Sequence, residues 1–296
     1  MIIVALVILG LCLGSFVNAL VWRIHEQNAE SSKKKSSKKR LAELSVLKGR
    51  SICPNCKYQL KAVDLIPLVS WLSTKGKCRY CQKPISPQYP LVEAATAALF
   101  VLSYVYWPSL VASATNNCPS PSLFHGASLA DNLLFGLWLA TLTGLVALLI
   151  YDLRWYILPN RIIYPLAAIS GLYALILVIN AHDPVNALIN VVLAVLVGGG
   201  IFYVLFQLSG GKWIGGGDVK LGFVLGLFLA TPARSLLMIF IASLLGTLIS
   251  LPLMANDKLK KTSIIPFGPF LIVAAIIVQL FGIAIINWYK HSLLGI

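Results

Sequence analysis

The stretch NLLFGLWLATLTGLVALLIY, residues Asn132–Tyr151, contains no charged side chain, and Asp152 follows it directly. An α-helix needs about 20 apolar residues to cross the roughly 30 Å hydrocarbon core of a bilayer. This stretch therefore predicts a membrane-spanning helix that ends at an acidic residue.

Seven further charge-free stretches repeat this pattern along the chain. They are Ile2–Trp22, Ala94–Leu110, Ile162–Ala181, Val185–Leu208, Leu221–Ala230, Ser235–Met254 and Ile264–Tyr289. The stretch Leu221–Ala230 is short, so it could instead be a buried helix or a re-entrant segment. Only 11% of the residues are charged and the mean hydropathy is +0.84, whereas soluble domains carry about 25% charged residues. The composition excludes a soluble protein and predicts an all-α polytopic membrane protein with about eight transmembrane helices.

The net charge of +14 is distributed unevenly. If the N-terminus lies outside and all eight stretches cross, 22 of the 24 Lys and Arg residues fall in inside loops, and only Arg234 and Lys290 fall outside. Basic loops remain cytoplasmic. The charge pattern therefore predicts an outside N-terminus and a cytoplasmic location for the polar segment that follows the first span.

This reasoning divides the chain into three parts. Residues 1–22 form the first transmembrane helix, residues 23–90 a cytoplasmic domain, and residues 91–296 the main transmembrane domain. The run SSKKKSSKKR, Ser31–Arg40, is a lysine-rich insert that is expected to be solvated, or else attracted to anionic lipid headgroups. No aromatic residue interrupts this run, so we do not expect nucleic-acid binding.

Four cysteines of the cytoplasmic domain form two CxxC pairs. They are Cys53 with Cys56 and Cys78 with Cys81, separated by a spacer of 21 residues. Two such pairs can place four thiolates in a tetrahedron, which is typical of a structural zinc site without an open position. Two redox pairs or two disulfides remain the alternatives, although the reducing cytosol disfavours disulfides.

Two acidic residues lie at the predicted membrane edge. Asp152 ends the third predicted span, and Asp218 opens the sixth, which runs in the opposite direction. Both are therefore expected at the cytoplasmic edge, where they could meet. Ionisable groups at this depth are costly and usually functional. Two adjacent carboxylates share a proton, so that one activates a water while the other polarises a carbonyl, as in aspartyl proteases.

The run Gly215-Gly216-Gly217 immediately precedes Asp218 and would allow a substrate strand to approach the backbone closely. Each aspartate could instead cap a helix or pair with Arg154 or Lys220. Two aspartates at one membrane depth favour the catalytic interpretation.

Five motifs occur in a fixed order along the chain, and together they resemble one protein family. They are Gly14-Ser15-Phe16-Val17-Asn18 followed by Trp22-Arg23, the cysteine-bearing segment Ser51–Glu93, Asp152–Asn160, Gly215–Lys220 and Ile265-Pro266-Phe267-Gly268-Pro269-Phe270. The set resembles the type IV prepilin peptidases, the leader peptidases of type IV pilins and type II secretion pseudopilins. The segment before Lys220 also resembles the GxGD motif of presenilin-like proteases. The lysine-rich insert departs from the family pattern.

The resemblance implies an activity and its partners. Members of the family remove the basic leader of type IV prepilins or pseudopilins at the cytoplasmic face of the bacterial inner membrane. Many then methylate the new N-terminus with S-adenosylmethionine. Carried over by position, Asp152 and Asp218 are the catalytic pair of an aspartic endopeptidase, and Gly76 and Glu93 are candidate methyl-transfer residues of an N-methyltransferase.

Two hypotheses from other functional classes compete with this one. In a membrane transporter, the aspartates would form an ion relay, but such sites usually lie near the bilayer midplane between repeated halves. The sequence contains no visible internal repeat. In a zinc-bearing scaffold of a secretion apparatus, the aspartates would not be needed for function.

Overall fold

The structure, a computed structural model, describes residues 1–31, 44–45, 49–115, 129–255 and 266–294, with residues 108–115, 253–255 and 293–294 described by their backbone alone. Residues 32–40 of the lysine-rich insert lie outside the described residues. Within the described ranges every regular element is helical, and there is no β-strand. The predicted all-α fold is confirmed.

The chain forms two compact units, Met1–Tyr104 and Val105–Ile296. The elements of the first are α1 (Ile2–Ser31), a 3-10 turn (Ala62–Leu65), α2 (Val69–Ser73) and most of α3 (Gln88–Thr115). The second continues with α4 (Leu129–Trp155), α5 (Asn160–Ile179), α6 (Pro184–Val195), a π-helical segment (Leu196–Gly200), α7 (Ile201–Ser209), α8 (Gly216–Leu229), α9 (Pro232–Ala255), α10 (Gly268–Tyr289) and a final π-helical turn (Lys290–Leu294). The domain boundaries expected after residues 22 and 90 stay a prediction.

Seven helical segments within the described residues are long and apolar enough to cross a membrane. They are Ile2–Ser31, Gln88–Trp107, Leu129–Trp155, Asn160–Ile179, Pro184–Ser209, Pro232–Pro252 and Gly268–Ser292. Each contains or largely overlaps one of the predicted stretches. The continuous segment Pro184–Ser209 combines α6, the π-helical segment and α7.

The remaining predicted stretch, Leu221–Ala230, is helical but short. It forms α8, which has 14 residues and at 1.5 Å per residue is only about 21 Å long. Most of its side chains are buried within the second unit, including Leu221, Leu225, Phe228 and Leu229. A helix that is apolar on all sides is typically enclosed by other helices. Burial among other helices is expected of a central helix in a membrane bundle as well as of a buried helix that does not cross. The polytopic fold is confirmed, and the crossing of this stretch stays a prediction.

Glycines allow α8 to lie directly against the end of α6 and the π-helical segment. A Cβ atom at Gly226 would lie 2.7 Å from Val195 Cα, and one at Gly198 would lie 3.0 Å from the Gly222 carbonyl oxygen. No larger residue fits at these crossing points without moving the backbones apart. Small residues are the usual means of close helix packing in membranes. This crossing fixes the position of α8, whose first turn carries Asp218.

A similar seam joins α1 to α3 within the first unit. A Cβ atom at Gly10 would lie 2.5 Å from Ala97 Cα, and one at Gly14 would lie 2.7 Å from Glu93 Cα. One turn further along α1, Asn18 Nδ2 donates a hydrogen bond to the Tyr89 carbonyl oxygen at 3.1 Å. Because the partners run backwards along α3, the two helices are antiparallel.

Candidate active site

The two predicted catalytic aspartates occupy opposite kinds of helix ends. Asp152 lies in the last turn of α4 and is only 4% exposed. Asp218 lies in the first turn of α8, where its N–H donates to the Gly215 carbonyl oxygen at 3.0 Å. A carboxylate is favourable in the first turn of a helix because of the free N–H groups there. Capping and catalysis are therefore compatible at Asp218.

Both carboxylates converge on Gly268, the first residue of α10. A Cβ atom at Gly268 would lie 3.4 Å from Asp218 Oδ1 and would overlap Asp152 Oδ2. The two side chains are close enough to repel each other electrostatically. The structure therefore brings together Asp152 and Asp218, as the sequence predicted, around a volume that the missing side chain of Gly268 leaves open.

Two contacts hold the segment after Asp152 against the segment around Asp218. A Cβ atom at Gly217 would lie only 3.1 Å from Leu158 Cβ, so the third glycine of the run is needed for close packing. Lys220 Nζ donates a hydrogen bond to Asn160 Oδ1 at 2.9 Å. These two contacts hold the two aspartate motifs against each other.

The alternative pairing of the aspartates with nearby cations is not seen among the described residues. The Arg154 guanidinium instead lies 5.4 Å from the centre of the Trp155 ring. Lys220 Nζ instead donates its hydrogen bond to Asn160 and lies 5.7 Å from the centre of the Tyr164 ring. Neither cation forms an ion pair with Asp152 or Asp218, so both carboxylates remain available to each other.

The four predicted metal ligands lie on two matching backbone turns in the first unit. In the first turn, Cys53 N–H donates to the Tyr58 carbonyl oxygen at 2.9 Å, and Lys57 has a φ of +59°. In the second, Cys78 N–H donates to the Lys83 carbonyl oxygen at 2.9 Å, and Gln82 has a φ of +57°. This repeated geometry presents two thiols from each turn towards a common centre.

The four cysteine Sγ atoms all lie within 4.8 Å of one another, and none is in a disulfide. Four thiolates around zinc at about 2.3 Å would be about 3.8 Å apart, so the arrangement fits one metal ion. Burial raises the pKa of the Cys78 thiol, but hydrogen bonds from the N–H groups of Cys81 and Tyr80 bring it down to about 7. A thiol of this kind is readily deprotonated for metal binding.

Ionic and aromatic contacts brace the two turns. Asp64 accepts hydrogen bonds from Tyr80 Oη at 2.9 Å and from the Lys61 N–H at 3.1 Å, and it pairs with Arg79 at 2.9 Å. The Tyr80 ring stacks on Tyr58 with the ring centres 3.8 Å apart. These contacts stabilise the cysteine region in addition to any metal ion bound by the four thiols.

Gly76 has a structural role that is visible in the first unit. Its φ is +69°, a conformation that side chains disfavour, and a Cβ atom there would lie 2.9 Å from Trp71 Cζ2. Its N–H donates to the Trp71 carbonyl oxygen at 2.9 Å, and its own carbonyl accepts from Ile85 N–H at 2.7 Å. These contacts account for a glycine at this turn, and its methyl-transfer role stays a prediction.

Glu93, the other candidate for methyl transfer, is 7% exposed and lies on the seam between α1 and α3. Its Oε2 accepts a hydrogen bond from the Leu68 N–H at 2.8 Å. Leu68 has a φ of +58°, an unusual value for leucine. Glu93 therefore stabilises the turn that leads into α2, and its methyl-transfer role likewise stays a prediction.

No role for Gly268 follows from the sequence, although the residue lies in the motif Ile265-Pro266-Phe267-Gly268-Pro269-Phe270. The only local signal was a glycine between Phe267 and Pro269, at the start of an apolar helix. The Lys220–Asn160 hydrogen bond was also missed, since it joins two motifs that are far apart in the chain.

The chain matches known families over most of its length. Residues 8–107 match the Bacterial Peptidase A24 N-terminal domain, and residues 139–251 match the Type IV leader peptidase family. The first match contains the cysteine cluster and Glu93, and the second contains both aspartates. No solved structure shows significant similarity to the chain.

Several curated relatives cover nearly the whole chain. The protein named Prepilin leader peptidase/N-methyltransferase from Aeromonas salmonicida (strain A449) is 32% identical over 299 residues, covering 96% of this chain and 92% of the relative. A protein of the same name from Aeromonas hydrophila is 34% identical over 246 residues, covering 83% and 76%. One from Bacillus subtilis (strain 168) is 29% identical over 297 residues, covering 98% of each. With this coverage and identity, and with both domains matched in order, the chain belongs to the type IV leader peptidase family.

Proposed function

We propose that Asp152 and Asp218 are the catalytic pair with which this membrane peptidase removes the leader of type IV prepilins or pseudopilins. The convergence of both carboxylates on Gly268 is the observation that carries this proposal. Membership of the family supports the substrate class, because its relatives are named prepilin leader peptidases.

The chemistry follows from placing two carboxylates side by side. They share one proton, so one is ionised while the other is protonated. The ionised carboxylate takes a proton from a water molecule as the water oxygen adds to the carbon of the scissile carbonyl. The protonated carboxyl polarises that carbonyl by donating a hydrogen bond to its oxygen. The first carboxyl, which now holds the proton from the water, donates it to the leaving nitrogen as the C–N bond breaks. The pair then returns to its singly protonated state.

The charge pattern supports a location for this reaction. With the N-terminus outside, the cysteine region and the helix ends that carry the aspartates lie on the cytoplasmic side. A prepilin leader is basic, so the same rule keeps it in the cytoplasm while the apolar segment behind it enters the membrane. The scissile bond then lies at the inner edge of the bacterial inner membrane. The aspartates lie at helix ends, which favours this role over an ion relay at the midplane.

The enzyme is also proposed to methylate the new N-terminus, with Gly76 and Glu93 as candidate methyl-transfer residues. The relatives' printed names include N-methyltransferase. S-adenosylmethionine, when bound, would supply the electrophilic methyl group. The first unit fits the acceptor side of this reaction, because Glu93 is a buried carboxylate suited to hold a cationic amine.

The cysteine cluster is proposed to hold a structural Zn²⁺ through Cys53, Cys56, Cys78 and Cys81. We expect Cys78→Ser to lower the bound zinc from about one ion per chain to a small fraction of that, because the closed site loses a thiolate. Metal analysis of the purified full chain measures this directly. Cys12→Ser is the matched control, since Cys12 is an exposed thiol in α1. Full zinc occupancy in Cys78→Ser, or equal loss in both variants, would refute the assignment.

The proposed function is tested by incubating the detergent-solubilised full chain with a purified prepilin and labelled S-adenosylmethionine. We expect mass spectrometry of the product to show loss of the leader and addition of one methyl group. Leader loss without methylation would leave the peptidase proposal standing and refute the methyltransferase part. An intact prepilin, with folded and zinc-loaded enzyme, would refute the peptidase proposal.

A further inference from the structure

The first unit exposes a run of apolar side chains in the part of the chain that is predicted to be cytoplasmic. They lie on the 3-10 turn, on α2 and on the link between them, and each is between 41% and 66% exposed. We call them the apolar patch, whose members are Val63, Leu65, Ile66, Val69 and Leu72. Single exposed apolar side chains are normal in a soluble domain, but a cluster of them marks a surface that contacts a partner.

Polar groups of the same segment point the other way, into the unit. Asp64 lies between two members of the apolar patch, yet its side chain is only 10% exposed, because it binds Arg79 at 2.9 Å and Tyr80 Oη at 2.9 Å. Trp71, next to another member, donates from Nε1 to the Ile85 carbonyl oxygen at 3.2 Å. A segment that faced water would expose the carboxylate and bury the apolar side chains. The observed pattern instead fits a segment that faces lipid.

One hydrogen bond places the apolar patch beside a membrane-crossing part of α1. Leu68, which lies between the two halves of the patch, donates from its N–H to Glu93 Oε2 at 2.8 Å. The Glu93 Cα atom in turn faces Gly14, which lies in the charge-free stretch Ile2–Trp22 of α1. Side chains of α3 lean towards its first residue, so the Leu68 amide lies about one turn from Gly14, on the side of Trp22. Trp22 itself is eight residues from Gly14, or about 12 Å along the helix. The middle of the patch therefore lies at a depth at which α1 is still apolar.

Cations flank the apolar patch on both sides. Lys61 precedes it, Lys75 and Lys77 follow it, and all three side chains are exposed. Asp64 is the one acidic residue within the sequence of residues 51–92, and its charge is already paired. Apolar side chains bordered by exposed cations match a leaflet of anionic lipids. The same cations would repel the basic leader of a prepilin, which favours lipid over the substrate as the occupant.

We propose that the apolar patch inserts into the leaflet of the bilayer that the charge pattern assigns to the cytoplasm, with Lys61 and Lys75 at the level of anionic headgroups. The domain then contacts the membrane at a third place besides α1 and α3. Because Asp64 ties the patch to the second cysteine turn through Tyr80 and Arg79, insertion holds that turn next to the membrane surface. The inference goes beyond the proposed function and does not depend on either proposed activity.

The test measures the surroundings of the patch in the full chain, reconstituted into vesicles of phosphatidylcholine and phosphatidylglycerol. A genetically encoded fluorescent amino acid replaces one residue at a time, which leaves the cysteines unmodified. The probe at Leu72 reports on the patch. Phe16, which is 44% exposed and lies two residues after Gly14 on α1, is the lipid reference. Ala29, which is exposed and lies seven residues beyond Trp22, is the water reference. Each variant is quenched separately by a spin-labelled acyl chain in the membrane and by iodide in the water.

The expected result is that the probe at Leu72 behaves like the lipid reference. We expect the acyl-chain label to quench it to within about twofold of the probe at Phe16, because the patch lies among lipid chains. Iodide should quench it at least about fivefold less than the probe at Ala29. Iodide quenching at Leu72 that equals quenching at Ala29 overturns the proposal. Protection of Leu72 that develops only when prepilin is added also overturns it, because the substrate is then the occupant.

A second comparison tests the part played by the cations. The spin label is carried either by phosphatidylglycerol or by phosphatidylcholine at the same mole fraction, and we expect the anionic lipid to quench the probe at Leu72 about twofold more strongly. The double variant Lys61→Gln/Lys75→Gln should lose this difference. Lys212→Gln/Lys290→Gln, which removes two exposed cations of the second unit, is the matched control and should keep it. Equal quenching by the two lipids in the chain with all its lysines, or an equal loss in both double variants, overturns the assignment to anionic headgroups.

Discussion

Replacing either Asp152 or Asp218 by asparagine should slow leader cleavage by about 10³-fold or more, because an amide cannot transfer the proton that each carboxylate handles. Asparagine has nearly the same shape as aspartate, so the loss should appear in kcat rather than in substrate affinity. Gel-based or mass-spectrometric rates of leader loss, measured over a range of prepilin concentrations, separate these two effects. Because the pair acts as a unit, the double variant should be no slower than the worse of the two single variants.

The matched control for these substitutions is Asp183→Asn. Asp183 caps α6 by accepting the Asn186 N–H at 3.1 Å, and asparagine caps helices equally well. This variant should therefore retain the wild-type rate. Unchanged zinc content and elution volume would establish that the two catalytic variants are folded. A folded Asp152→Asn or Asp218→Asn enzyme that keeps more than about a tenth of the wild-type rate would contradict the two-aspartate mechanism.

Much of the fold could be predicted because membrane helices are governed by local rules. A backbone in lipid must satisfy its own hydrogen bonds, so a charge-free stretch of sufficient length has few alternatives to a helix. The stretch Asn132–Tyr151 accordingly lies within α4, Leu129–Trp155. The cysteine cluster was predictable for a related reason, since each CxxC pair forms its own turn. The stretch Leu221–Ala230 was ambiguous because apolar residues suit both lipid and a buried position, and only the surrounding helices decide between them.

The parts that could not be predicted depend on contacts between distant residues. Hydropathy placed Asp152 and Asp218 at helix ends, but it could not show that α10 begins between them with Gly268. The hydrogen bond from Asn18 to the Tyr89 carbonyl oxygen is similarly invisible in a sequence, because it depends on how α3 crosses α1. Gly76 shows the opposite problem. Family resemblance suggested a chemical role, whereas the structure also requires a glycine there for the turn beneath Trp71.

Gly268→Ala is the second substitution for which we expect a large effect on cleavage, although it adds only a methyl group. The added Cβ atom would overlap Asp152 Oδ2 and lie 3.4 Å from Asp218 Oδ1. Asp152 must then turn away, or α10 must shift, and either change separates the carboxylates or fills the space between them. A displacement of about 1 Å at reacting groups can cost about 10²-fold in rate. We therefore expect kcat to fall by about 10²-fold or more, with a smaller change in KM.

Gly136→Ala provides the control that separates crowding at the aspartates from a general effect of replacing a helix glycine. Gly136 lies in α4, the same helix as Asp152, but a Cβ atom there would have no neighbour within 4 Å. Alanine is the better helix former by roughly 0.5–1 kcal/mol, so this variant should fold and cleave normally. If Gly268→Ala cleaves prepilin at a rate within about threefold of Gly136→Ala, the space at Gly268 is not needed for the reaction. The two carboxylates would then have to work in an arrangement different from the one around Gly268, because the added methyl group would overlap Asp152 Oδ2.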